Sequence, residues 1–137
     1  MTYVFHVAFD AGLCSQNKRE HWTAHQRVKK AARQAAFRAW IDAGSPRTRA
    51  RCRVSAVIRR HRRLDPLNLA GCLKPIWDGC LCGRHLGRRL LPALLPDDSE
   101  EWVEVGEISQ EVIKRTEEPT VVVTVEELTA DADGRRP

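Results

Sequence analysis

Between Arg51 and Ile58 the side chains alternate: Arg51, Arg53 and Ser55 fall on one parity, and Cys52, Val54, Ala56 and Ile58 on the other. A period of two with one apolar side is the pattern of a β-strand that buries one face. The strand is predicted over 49–60, and it runs straight into Arg59-Arg60-His61-Arg62-Arg63, followed by Leu64-Asp65. A chain so built must end a half-buried strand in concentrated positive charge. The imbalance extends to the whole sequence of 137 residues, because residues 1–64 hold 15 Lys and Arg against 3 Asp and Glu, and residues 65–137 hold 8 against 15. The formal net charge of +5 conceals this segregation.

The other elements follow from the same kind of reading. Tyr3 to Phe9 is rich in β-formers and ends at Asp10-Ala11-Gly12, which predicts a strand leading into a loop. From Lys18 to Ala43, the spacing of Val28, Ala32, Ala35 and Ala39, with Trp22 and Trp40 near the ends, predicts a long helix with one stripe on a core. Gly44 and Pro46 supply its stop. Its other positions carry Arg27, Lys29, Lys30, Arg33 and Arg38. A short helix is expected over 67–77, with Pro75 kinking or shortening its last turn. No element is assigned to 79–96. Strands are expected over 102–115 and 120–127, the second around Val121-Val122-Val123-Thr124-Val125, and residues 129–137 read as a polar tail. The order β, α, β, α, β, β predicts one α+β domain over 1–128, a mixed sheet of about four strands covered by one long and one short helix.

Composition excludes several classes. Apolar residues make up 42% of the chain but never form the run of about 20 that a spanning helix needs. The N-terminus lacks the basic segment of a secretory signal, so a cytoplasmic protein with no membrane partner is expected. The five cysteines, Cys14, Cys52, Cys72, Cys80 and Cys82, do not have the paired spacing of a disulfide framework, and reduced thiols are expected. A C-x-C at Cys80 and Cys82 beside His85, with Cys72 upstream, is a poor match to structural zinc spacing.

The chemistry concentrates after the basic run. Asp65 opens Asp65-Pro66-Leu67-Asn68-Leu69. It is followed by Lys74-Pro75-Ile76-Trp77-Asp78-Gly79 and by Leu95-Pro96-Asp97-Asp98-Ser99. If the fold gathers Asp65, Asp78, Asp97 and Asp98, it makes a carboxylate cluster framed by guanidinium groups. Such a cluster offers Mg²⁺ its hard oxygen donors while the cations hold a phosphate backbone. Plainer readings stand beside this one. Asp before Pro is a common helix N-cap, Asp78-Gly79 is a plausible helix end, and 97–101 is a plausible acidic turn.

At these residues the chain resembles the RusA-type Holliday junction resolvases, small homodimeric endonucleases common in prophages. That family has a basic strand end leading to D-x-D-N-L or D-P-x-N-L, a helix ending in Asp, and a later D-D pair. The resemblance covers roughly residues 3–128 and is most specific over 62–103. It implies a RusA-like fold and a Mg²⁺-dependent endodeoxyribonuclease that cuts branched DNA, the four-way junction above all, as a homodimer. Asp65, Asp78, Asp97 and Asp98 would hold the metal, and Asp65, Asp78, Asp98 and Lys74 would be the catalytic group. Arg27, Lys29, Lys30, Arg33, Arg59, Arg60, Arg62, Arg63 and Asn68 would contact DNA. Two positions depart from the pattern. Leu67 stands where the archetype has a second Asp, and the offset of its catalytic Lys lands on Gly71, with Lys74 one turn later. The 79–95 connection, with Arg84, Arg88 and Arg89, is longer than the family's.

Two alternatives remain open. The first is a catalytically weakened branched-DNA binder of the same fold, motivated by Leu67. The second is a single-stranded nucleic-acid or RNA binder. It is disfavoured because Trp22, Trp40, Trp77 and Trp102 occupy positions that packing explains better than stacking on bases.

Overall fold

The computed structural model describes residues 1–14, 22–82, 84–86, 88–96 and 101–128. It comprises β1 (Thr2–Val7), α1 (Trp22–Asp42), β2 (Cys52–Arg60), α2 (Leu69–Cys80), β3 (Arg84–Leu86), β4 (Arg89–Leu91), β5 (Val103–Val112) and β6 (Thr120–Glu127). Short 3-10 turns at Ala11–Cys14 and Pro66–Asn68 precede the two helices. The expected single α+β domain is the observed one. The main sheet is four-stranded and mixed, in the order β1-β6-β2-β5. β6 is antiparallel to both β1 and β2, while β2 and β5 are parallel and are joined through α2.

Sequence period decides the buried face. Cys52, Val54, Ala56 and Ile58 of β2, Val121, Val123 and Val125 of β6, and Phe5 and Val7 of β1 are buried. They meet Ala32, Ala36, Ala39 and Trp40 of α1 and Cys72, Leu73 and Ile76 of α2. Small residues on α1 let the helices come close. Gly79 completes this approach, because a β-carbon there would run into the Arg33 carbonyl oxygen and lie 2.6 Å from the Ala36 methyl. Gly79 is therefore a packing residue inside α2 rather than its end.

Several boundaries differ from expectation for identifiable reasons. β1 stops at Val7 because the Phe9 N–H turns back to the Val7 carbonyl at 2.9 Å. α2 continues through Pro75 to Cys80, so the proline does not shorten it. Pro75 is itself buried, as are Leu73, Ile76 and Cys80 of the same helix, and burial of this face offsets one missing backbone bond. The unassigned 79–96 stretch contains the β3–β4 ribbon and a bridge from Cys82 to Leu95. Trp22 is 73% exposed, so the apolar stripe of α1 begins only at Val28. The predicted tail at 129–137 lies outside the described residues.

The pairing also offsets part of the charge asymmetry. Arg53 reaches Glu104 at 3.4 Å, and Arg59 reaches Glu111 at 3.1 Å and Glu117 at 3.5 Å. Placing basic β2 beside acidic β5 turns a segregation along the chain into cross-strand pairs.

Candidate nucleic-acid and metal site

β1, β2 and β5 run in one direction, so their C-terminal ends share an edge of the sheet. Val7 and Ile58 both pair with Val121, and Arg60 pairs with Val112. α2 begins at this edge and finishes near the opposite one, where the Leu94 N–H bonds the Cys80 carbonyl and the Cys52 N–H bonds the Trp102 carbonyl. Strand C-termini beside the start of a helix are where open α/β sheets place ligands.

The segment 61–65 crosses this edge. Its backbone is held from below, because Gln110 takes both main-chain groups of Leu64: the Leu64 N–H donates to Oε1 at 2.6 Å, and Nε2 donates to the Leu64 carbonyl at 3.1 Å. Asp65 then caps the 3-10 turn, accepting from the Leu67 N–H at 3.0 Å, while the Asn68 N–H bonds its carbonyl at 2.9 Å. The cap expected of an Asp-Pro pair is present. The carboxylate is exposed, and its second oxygen has no partner among the described residues. Arg62 and Arg63 are exposed beside it with no ionic partner among the described residues.

The remaining predicted DNA contacts divide into two groups. Arg59 and Arg60 are engaged within the molecule, Arg59 by two glutamates and Arg60 by Asp10 at 2.6 Å. Arg27 and Lys30 are exposed on the N-terminal half of α1, and Lys29 and Arg33 are half-buried. The Arg33 Nε is enclosed without a hydrogen-bond partner among the described residues. Asn68 stands at the start of α2, next to Asp65.

The metal ligands expected together do not all meet. The nine residue steps of helix from Leu69 to Asp78 span about 13 Å, so Asp65 and Asp78 lie toward opposite ends of α2. Asp78 is engaged by Lys74 at 3.0 Å, four residues earlier, and that bond turns the ammonium away from Asp65. Lys74 also borders a small groove with Trp77, Leu81, Val103 and Val105. Asp97 and Asp98 lie outside the described residues. Among the described residues, no group of three or more His, Cys, Asp or Glu side chains is placed to hold an ion.

Leu67, at the position where the resemblance expects a carboxylate, is 95% exposed and points into solvent beside Asp65. The cysteines belong to the core. All five are free, and burial pushes the Cys14 and Cys52 thiols up to about 11 and raises those of Cys72 and Cys80 as well. A cavity of about 540 Å³ between Arg47–Arg49 and Pro92–Pro96 lies away from Asp65 and does not include the exposed cations of the other edge.

Sequence reasoning missed Asp10 and Gln110. Asp10 read as loop punctuation before Gly12, and a glutamine within a strand carries no local signal of its partner 46 residues away. No helix of the described residues is long and apolar enough to cross a membrane. No family model, curated protein or solved structure matches the chain.

Proposed function

We propose that the chain is a Mg²⁺-dependent endodeoxyribonuclease of the RusA type, cutting four-way junctions or other branched DNA in the cytoplasm as a homodimer. The observation that carries this reading is the edge formed by the ends of β1, β2 and β5. There the exposed Asp65 carboxylate is flanked by Arg62 and Arg63, and no group among the described residues neutralises either arginine.

Mg²⁺ takes hard oxygens and commonly binds through one or two carboxylates, keeping waters in its other positions. Asp65 offers one free oxygen at the surface, and Asp97 and Asp98 are the further carboxylates the reading requires. When bound, the ion would lower the pKa of a coordinated water and neutralise phosphate charge. The residues do the rest: Asp65 fixes the ion against the start of α2, Arg62 and Arg63 hold the flanking phosphates, and Arg27 and Lys30 extend the cationic track. A two-fold enzyme presents the same site to two equivalent strands of a junction, which suits paired nicks. In this reading Lys74 and Asp78 form a helix-stabilising pair rather than part of the reacting group.

The test is cleavage of a synthetic four-way junction with and without Mg²⁺. Metal-dependent nicking that Asp65→Asn abolishes is expected. Equal rates for the variant and the unsubstituted chain would remove Asp65 from the reaction. Leu67 motivates the second reading, a junction binder with weakened catalysis. That reading predicts tight, salt-sensitive binding and no cleavage with any divalent ion.

A further inference from the structure

The loop that presents Arg62, Arg63 and Asp65 leaves these three side chains in solvent; besides Leu64, which packs on the core, and the His61 ring, 2.8 Å from the Glu117 carbonyl, two polar clamps hold its main chain. The first clamp starts at Asp10, just beyond β1. Its Oδ1 accepts from the Arg60 Nε at 2.6 Å and from the Gly12 N–H at 3.0 Å, and its Oδ2 lies 3.5 Å from the Arg60 Nη2. The guanidinium rests on Gly12, where any β-carbon would collide with it. Its remaining arm, Nη1, donates to the Arg62 carbonyl at 3.4 Å. The second clamp is Gln110, whose amide pairs with both main-chain groups of Leu64.

We infer that Asp10 and Gln110 are positioning residues, holding the Arg62–Asp65 backbone in the conformation that aims its cations at phosphates and its carboxylate at the ion. This rests on the nuclease reading of Asp65. Gln110 acts directly on the main chain of Leu64, and Asp10 acts through the Arg60 guanidinium on the Arg62 carbonyl. Ion pairing between strand ends alone would not require a third bond to Arg62. Sheet stability alone would not require an edge-strand amide matched to the N–H and C=O of a loop residue. Both arrangements restrict the main chain of a segment whose charged side chains face solvent, as expected where reacting groups need placement to within a fraction of an ångström.

The decisive comparison uses Gln110→Ala and Asp10→Asn in the full chain, assayed on a four-way junction with Mg²⁺ alongside thermal unfolding. Gln110 is half-buried on an edge strand, so its truncation leaves the core intact and serves if Asp10→Asn, which strands the Arg60 charge, fails to fold. The expected result is a fall in kcat of about 10- to 100-fold per folded molecule, with KM within about threefold. The half-saturating Mg²⁺ concentration should rise. A lower melting temperature with kcat per folded molecule unchanged would overturn the inference and leave the nuclease reading standing. No cleavage by the unsubstituted chain would overturn both.

Discussion

The two edges of the sheet use charge in opposite ways. At the edge where β1 begins, Glu127 accepts from the Tyr3 hydroxyl and the Thr48 hydroxyl, both at 2.7 Å, and lies 3.7 Å from the N-terminal ammonium. That carboxylate is saturated and ties β1, β6 and the approach to β2 together. At the edge where β1 and β2 end, Asp65 makes one bond within its own turn, and Arg62 and Arg63 make none with their side chains among the described residues. Bonding groups there are spent on the main chain of the loop, through Arg60 and Gln110, while the charges are left outside. A charge satisfied by its own fold contributes to stability. One held rigidly and left unsatisfied is available to a ligand.

Substitution of the aspartates gives the sharpest test of that contrast. Asp65→Asn should lower Mg²⁺-dependent cleavage at least about 100-fold, since even residues that only support a metal ligand cost 10- to 100-fold. Asp78→Asn removes an i,i+4 pair worth about 0.5 kcal/mol and should change the rate less than threefold. A loss for Asp78→Asn as large as for Asp65→Asn would place the chemistry at the C-terminal end of α2 and overturn the assignment to Asp65.

The arginines should separate in the same manner. Each phosphate contact contributes about 0.9 to the slope of log affinity against log salt, so Arg62→Ala with Arg63→Ala should reduce the slope of junction binding by about 2. Arg59→Ala should leave that slope nearly unchanged, because Glu111 and Glu117 already occupy its guanidinium. If the slope falls as far for Arg59 as for the exposed pair, β2 reaches DNA despite its glutamates.

Leu67 allows the edge to be strengthened. The side chain is exposed, so Leu67→Asp has no packing to lose and sets a second carboxylate two residues from Asp65. Half-saturation of cleavage by Mg²⁺ should move to roughly threefold to tenfold lower concentration, because affinity for hard cations rises with the number of charged oxygen ligands. An unchanged titration would mean that position 67 does not face the ion.

Much of the fold was legible because burial leaves a periodic signature. The alternation at 52–58 and the valines of 121–125 define strands whose inward residues are those the period predicts. Trp22 was misread because apolar type at the right spacing cannot tell whether another element reaches that turn of α1. The β3–β4 ribbon was missed because three-residue strands are too short for a period to show. For the site, the Asp65 cap and the exposed arginines followed from local sequence. The separation of Asp65 from Asp78 depends on α2 running on past Pro75, and the Arg59 pairs depend on the register of β2 against β5, which no local pattern encodes.

The saturated edge supplies the smallest expected effect, and its sign can be worked out. Hydrogen bonds from Tyr3 first and Thr48 second hold the Glu127 carboxyl below its ordinary value, while the bond to Glu127 raises the Tyr3 phenol. With the folded value depressed, the unfolded chain takes up the proton at higher pH than the folded one does. The stabilisation is therefore complete above the ordinary glutamate value of about 4.3 and is lost as pH falls through the lower, folded value. Tyr3→Phe removes the leading cause and should cost about 1 kcal/mol at pH 7. It should also reduce the acid-dependent part of the drop in melting temperature between neutral pH and pH 3, since less depression remains to be lost. The same substitution should leave junction cleavage by folded protein unchanged, because the edge it weakens is not the one that presents Asp65. A cleavage defect in Tyr3→Phe at neutral pH would show that the two edges are coupled through β6 and that the division between them is not a division of function.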